Sequence, residues 1–212
     1  MSSFAFTSEI AFALYRPHNE EGPEWLRFRQ GDHSGLLYKV IENPMGRPAP
    51  DDKTYLVISS QIRTTPEDAN AGTLLDSKYA DTEIRTYTLL EVYDPRGLGI
   101  SNAVSPLILQ AEASPADIKE FQDFYRVDHT VMMAKHPGYR RTALYQLQSV
   151  LKPAQQPQEP APVLILHEFD TFDEVGGPIT QASIVTPLAT KVFGAVKSMI
   201  SRGIQLESAG NK

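Results

Sequence analysis

Short apolar runs alternating with amphipathic stretches set the layout of this chain. Residues 10–16 (IAFALYR), 55–62 (YLVISSQI), 106–112 (PLILQAE) and 163–170 (VLILHEFD) have the length and apolar character of strands. Between them, residues 24–33 (EWLRFRQGDH) and 120–129 (EFQDFYRVDH) space large aromatics as a helix with one buried face does, Trp25 and Phe28 in the first, Phe121 and Phe124 in the second. These two stretches superpose at an offset of 96 and end on the same pair, Asp32-His33 and Asp128-His129. The same offset lays 10–16 on 106–112. Farther on, 55–62 matches 163–170 at an offset of 108, and Arg85-Thr-Tyr-Thr-Leu-Leu matches Arg202-Gly-Ile-Gln-Leu-Glu at 117. An offset that grows along the chain is the mark of a tandem duplication with insertions in the second copy. Residues 152–162, with four prolines and nothing more apolar than alanine, read as one such insertion, an exposed loop. A second precedes the last strand.

Helix punctuation agrees. Ser114-Pro115-Ala116-Asp117 offers an N-cap, a proline for the first turn and an acid, and Lys135-His136-Pro137-Gly138 a stop, so a helix is expected over 115–135. Pro23 opens its counterpart, Thr65-Pro66 the next helix, and Thr186-Pro187 a late helix reaching about 200. With second strands near 37–43 and 139–148, each copy reads strand, helix, strand, strand, helix, strand. The fold class is therefore α+β: tandem ferredoxin-like βαββαβ repeats, residues 1–98 and 99–212. A single such sheet covers one face with helices and leaves the other bare. Two copies gain most by packing the bare faces together, as an intramolecular dimeric α+β barrel of eight strands. The plainer alternative is two independent domains, for which Asp94-Pro-Arg-Gly-Leu-Gly99 makes a short linker.

Composition narrows the chemistry. Across 212 residues there is no cysteine, which excludes disulfides, thiolate nucleophiles and cysteine-held metals. A net charge of −6 without any run of Lys or Arg argues against nucleic acid or an anionic membrane as partner. No leader-like or membrane-length apolar stretch is present, so a cytoplasmic location is expected. No HExxH, GxSxG, GxGxxG or P-loop spacing occurs, and no metal site is expected.

Phe121-x-x-Phe124-Tyr125-x-x-Asp128-His129, then Lys135-His136-Pro137-Gly138-Tyr139-Arg140-Arg141, then a strand ending Glu168-Phe169-Asp170, resembles the EthD-type branch of the dimeric α+β barrel superfamily. The second copy matches all three features. The first departs from them: Arg29 stands where tyrosine is usual, and Asn43-Pro-Met-Gly replaces the Pro-Gly turn. The resemblance implies an apolar pocket between sheet and helices and cofactor-free chemistry on an aromatic or polyketide-like small molecule: decarboxylation, dehydration or cyclisation by a lyase or cyclase. A non-catalytic small-molecule-binding or stress-related protein is the rival, and the fused barrel could pair again as a homodimer.

Seven residues could carry such chemistry. His129 is the first candidate general acid/base, with Ile118, Phe121, Tyr125, Asp128 and Met132 facing the sheet and His129 at the edge of that stripe; its bland reading is a buried imidazole satisfied by a backbone carbonyl. His33 is its counterpart, weakened by Gly31 and Gly35 beside it. Tyr125, Tyr87 and Tyr15 could present hydroxyls to a substrate, Arg140 could steady an anion, and His167, in mid-strand, points either into the barrel or toward the helices. Asp128 and Asp32 are expected to pair with an arginine, among Arg140, Arg141 and Arg85, or to cap a neighbouring strand.

Overall fold

In the computed structural model, residues 8–19, 35–46, 54–59, 79–99, 105–152 and 159–209 are described. Asp32, His33, the helices expected after Pro23 and Thr65, and most of the proline-rich insertion lie outside them. Eight strands appear: β1 (Glu9–Pro17), β2 (Leu36–Ile41), β3 (Tyr55–Ser59), β4 (Ala80–Tyr93), β5 (Leu107–Ala113), β6 (Tyr139–Lys152), β7 (Val163–Phe169) and β8 (Met199–Ala209). The described helical elements all fall in the second half of the chain. They are α1 (Ile118–Phe124), a π-helical turn (Tyr125–His129), α2 (Thr130–Met133), α3 (Pro178–Ile184) and α4 (Pro187–Gly194).

The strands close into one antiparallel barrel in the order β1-β3-β2-β8-β5-β7-β6-β4. Each set of four runs fourth, first, third, second, the ferredoxin-like order, and the sets join at two seams, β2–β8 and β4–β6. Closure follows from the alternation of each strand. Ile10, Phe12 and Leu14 of β1, Leu36, Tyr38 and Val40 of β2, and Leu164 and Leu166 of β7 meet in one interior cluster. The residues between them face outward: Ala13 and Tyr15 in one outer cluster, Val163 and Ile165 in another against α1 and α4.

Charge sits inside the barrel too, in balanced sets. Arg85 bonds Glu83 and Glu112, and Arg202 bonds Glu112 and Gln110, so the matched arginines of the two copies share one carboxylate. Nearer the other end Arg141, 1% exposed, donates to Glu168 at 2.9 Å. Breaking such a buried pair from one side costs about 3–5 kcal/mol, because it strands a charge away from water.

Three expectations about helices change. Asp117, not Ser114, caps α1, accepting from the Glu120 N–H at 2.9 Å, because the Ser114 backbone continues sheet pairing with Lys197 and Ser198. The late helix stops at Gly194, since Met199 and Ile200 pair with Ala113 and Glu112 in the sheet. Within the second insertion, where no helix is expected, the chain forms α3; Pro178 in its first turn after Gly177 is the signal for it.

Burial pushes the Glu168 carboxyl up from its ordinary 4.5 to about 7, Arg141 and Arg140 pulling the other way. A folded-state pKa above the unfolded one contributes stability that is complete below about 4.5 and is lost as pH rises to 7. Denaturant midpoints from pH 4.5 to 8 are expected to show this decline in the wild-type chain relative to Glu168→Gln, which carries no titrating group there.

Candidate functional site

On the second copy, the helices do not lie flat on the outer face of the sheet. A cavity of about 430 Å³ separates them, floored by Leu109 and Ala111 of β5, His167 of β7 and Ser201 of β8, and roofed by Tyr125, His129 and Met133. Thr180 and Ile184 of α3 and Phe193 of α4 close the sides, with Lys197 and Ser198 at the exposed rim. Met45, from the turn after β2, also lines it. That turn is anchored to β8 by Asn43, whose amide donates to the Ser201 carbonyl at 3.0 Å, so the first copy completes the pocket of the second.

The π-helical turn is what puts His129 into the cavity. Thr130 N–H bonds the Tyr125 carbonyl five residues back, and its hydroxyl donates to the same oxygen at 2.5 Å. One extra residue in the turn rotates everything after it by about 100° relative to a plain α-helix. The buried face therefore runs Phe121, Phe124, Tyr125, His129, Thr130, Met133, while Asp128 and Met132, expected to face the sheet, turn outward. His129 is thereby 5% exposed rather than at the edge. Among the described residues Asp128 pairs with no arginine. Its carboxylate accepts from the Thr186 hydroxyl at 2.6 Å, and Thr186 caps α4, so the aspartate fixes the helix packed beside it.

His167 points toward the helices and meets His129. The imidazole centroids lie 5.4 Å apart, Tyr125 is 4.7 Å from His129 and 5.8 Å from His167, and Phe193 stands edge-on to His129. Each histidine is tied through Nδ1: His129 to the Ser183 carbonyl at 3.3 Å, His167 to the Thr142 hydroxyl at 2.6 Å. Neither Nε2 has a partner among the described residues. Since a carbonyl only accepts, His129 Nδ1 carries the proton and its Nε2 keeps a free lone pair. Tyr125 brings a buried hydroxyl with no hydrogen bond among the described residues.

Burial lowers His129 from 6.5 to about 4, the Ser183 carbonyl and Asp128 opposing only in part. His167 is lowered well below 6.5 by burial and by His129. Charging His129 in the folded chain thus costs on the order of 3 kcal/mol more than in water, and both rings are neutral at pH 7. Burial raises the Tyr125 phenol, keeping it protonated. No third His, Asp or Glu joins the two imidazoles among the described residues, fewer donors than a catalytic zinc uses.

Of the residues singled out from sequence, His129, His167 and Tyr125 come together here. Tyr87 lies inside the barrel, edge-on to Phe12 and accepting from Arg85 at 3.4 Å. Tyr15 is buried on the outer face of the first copy. Arg140 sits at the β6 bulge paired with Asp170. None of these three lines the cavity. Tyr139, a tyrosine that could also have presented its hydroxyl to a substrate, instead bonds Thr142 behind His167. Thr142 and Ser183, which hold the histidines, are not legible as site residues, although alternation in β6 could have placed Thr142 beside His167.

No family model and no curated protein matches the sequence. Solved structures do: an anthrone oxidase-like protein, at 10% identity over 97% of this chain and 94% of that one, TM-score 0.61. A proposed monooxygenase from Fusobacterium nucleatum matches at 10% identity over 98% and 96%, TM-score 0.54, and one from Lactobacillus acidophilus at 10% over 97% and 97%, TM-score 0.52. The fold is a dimeric α+β barrel fused in one chain. At this identity the likeness concerns the dimeric α+β barrel alone.

His129 has a folded-state pKa below its unfolded one, so its contribution to stability is complete above about 6.5 and is lost as pH falls through 4. Acid unfolding should come on at lower pH in His129→Gln than its neutral-pH stability predicts, and the wild-type His129 ring should remain neutral by NMR from pH 8 down to 5.

Proposed function

We propose that the protein is an enzyme that removes a proton from an aromatic or polyketide-like small molecule, with His129 as general base, as a cofactor-free lyase or cyclase does. The observation that carries this reading is the pair of neutral imidazoles, 5.4 Å apart, each with an Nε2 that has no partner among the described residues, in an otherwise mostly apolar cavity. A base whose pKa is lowered by burial is weak toward a free proton. It gains strength when the proton comes from the substrate, because the imidazolium then forms beside the carbanion and the two charges stabilise each other at low dielectric.

The chemistry that follows depends on the substrate. An enolate loses a β-hydroxyl in dehydration, attacks a second carbonyl in cyclisation, and is what decarboxylation leaves behind. The likeness to an anthrone oxidase-like protein favours one further ending, reaction of the same carbanion with dioxygen, which yields the ketone and water with the substrate supplying the electrons. All four endings pass through one charged species, an enolate.

Anthrone, a planar ketone with an acidic methylene, is a direct probe. Loss of deuterium from that carbon, followed by NMR, is expected to be faster with the wild-type chain than in buffer and to fall by about 10²–10⁴ in His129→Ala. Equal exchange in the two proteins, or none above buffer while anthrone binds tightly, would leave a carrier rather than an enzyme.

A further inference from the structure

The two imidazoles are held from behind by different kinds of partner, and that difference decides which nitrogen carries the proton in each. His129 rests on a carbonyl, which leaves its Nε2 as an acceptor. His167 rests on the Thr142 hydroxyl at 2.6 Å, and Thr142 lies 2.6 Å from the Tyr139 hydroxyl, all three buried.

Two proton orderings let the Thr142 hydroxyl both donate and accept at those distances; a third, in which it only accepts, strands its own proton. In the first, His167 Nδ1–H donates to Thr142, Thr142 donates to Tyr139, and the phenolic proton of Tyr139 is left without an acceptor, since Thr142 is its only side-chain partner among the described residues. In the second, Tyr139 donates to Thr142, Thr142 donates to His167 Nδ1, and the donor left over is His167 Nε2–H, which faces the cavity, whereas Tyr139 lies outside its lining and is enclosed. A buried donor without a partner shifts such a balance by roughly ten- to a hundredfold, so the second ordering prevails. His167 then carries its proton on Nε2 and is a donor in the floor of the cavity, while His129 is an acceptor in its roof.

We propose that Tyr139 and Thr142 are positioning residues that hold His167 as an Nε2–H donor opposite the Nε2 acceptor of His129, and that this donor–acceptor pair selects planar aromatic ketones. The ketone oxygen faces His167 and an acidic C–H conjugated to it faces His129. This rests on the proton-abstraction reading for its reacting step. In that step His129 Nε2 takes the proton, the C–H electron pair moves into the ring and onto the carbonyl oxygen, and His167 keeps its proton while its hydrogen bond to that oxygen strengthens. The products are an imidazolium and an enolate, with no net change in charge. A neutral imidazole suits this task, because it stabilises the oxyanion without protonating it.

Nitrogen-15 NMR of the ring nitrogens reads the tautomers without any turnover. The expected result is Nδ1–H for His129 and Nε2–H for His167 in the wild type, the same in Thr142→Ser, and a mixture at His167 in Tyr139→Phe, where Thr142 is free to accept. Fluorenone and fluorene then test selectivity, being planar and nearly the same shape with and without the carbonyl. Fluorenone should bind about five- to tenfold tighter to the wild type, and the preference should vanish in His167→Phe. Nδ1–H at His167 in the wild type, an unchanged tautomer in Tyr139→Phe, or equal affinity for the two compounds overturns the proposal. If these readouts come out as expected while anthrone exchange is absent, the enzyme reading alone falls.

Discussion

Two four-stranded sheets, each with an apolar face, bury those faces against each other. That closure organises the rest of the protein. Along β1, β2 and β7 every second side chain is committed to the interior, so the intervening ones face out toward whatever covers the sheet. His167 is outward because Leu164 and Leu166 are inward. A shift of one residue at that strand would carry the imidazole into the barrel and Glu168 onto the helices, exchanging both environments at once. The interior tolerates charge because it is balanced in place: Arg85 and Arg202, at matching positions of the two copies, share Glu112, and Arg141 holds Glu168.

With the strand side of the site set by alternation, the helix side is set by a local irregularity. An uninterrupted α-helix would place Asp128 and Met132 toward the sheet, as the heptad-like spacing from Ile118 suggests. The π-helical turn inserts one residue, and His129 takes that place. Thr130 makes the irregularity affordable by giving the Tyr125 carbonyl a second donor. Asp128, rotated outward, becomes a structural link to the cap of α4. Adjacent residues of one pair thus do different work, and the Asp-His doublet is not a unit.

The copies have also diverged in what they give the cavity. The second supplies both histidines and the tyrosine. The first contributes Met45, brought there by Asn43 bonded to β8. The turn Asn43-Pro-Met-Gly, which in sequence looks like a degenerate version of Pro137-Gly138, is in space part of the wall of the other copy's pocket.

Much of this was open to reading in one dimension. Strand positions, the duplication, the closed barrel and the candidacy of His129, His167 and Tyr125 follow from periodicity and internal matching, because alternation and helical spacing are properties of neighbouring residues. Tyr15, Tyr87 and Arg140 were drawn in by residue type, and type does not say which face of a sheet a side chain occupies. The extra turn at 125–129, the helix α3 that carries Ser183, and the Tyr139–Thr142–His167 chain were decided only in the tertiary structure. Each joins residues 25 to 54 apart in sequence or depends on about 100° of helix phase, and their energies come from packing and buried hydrogen bonds that exist only once the barrel has closed.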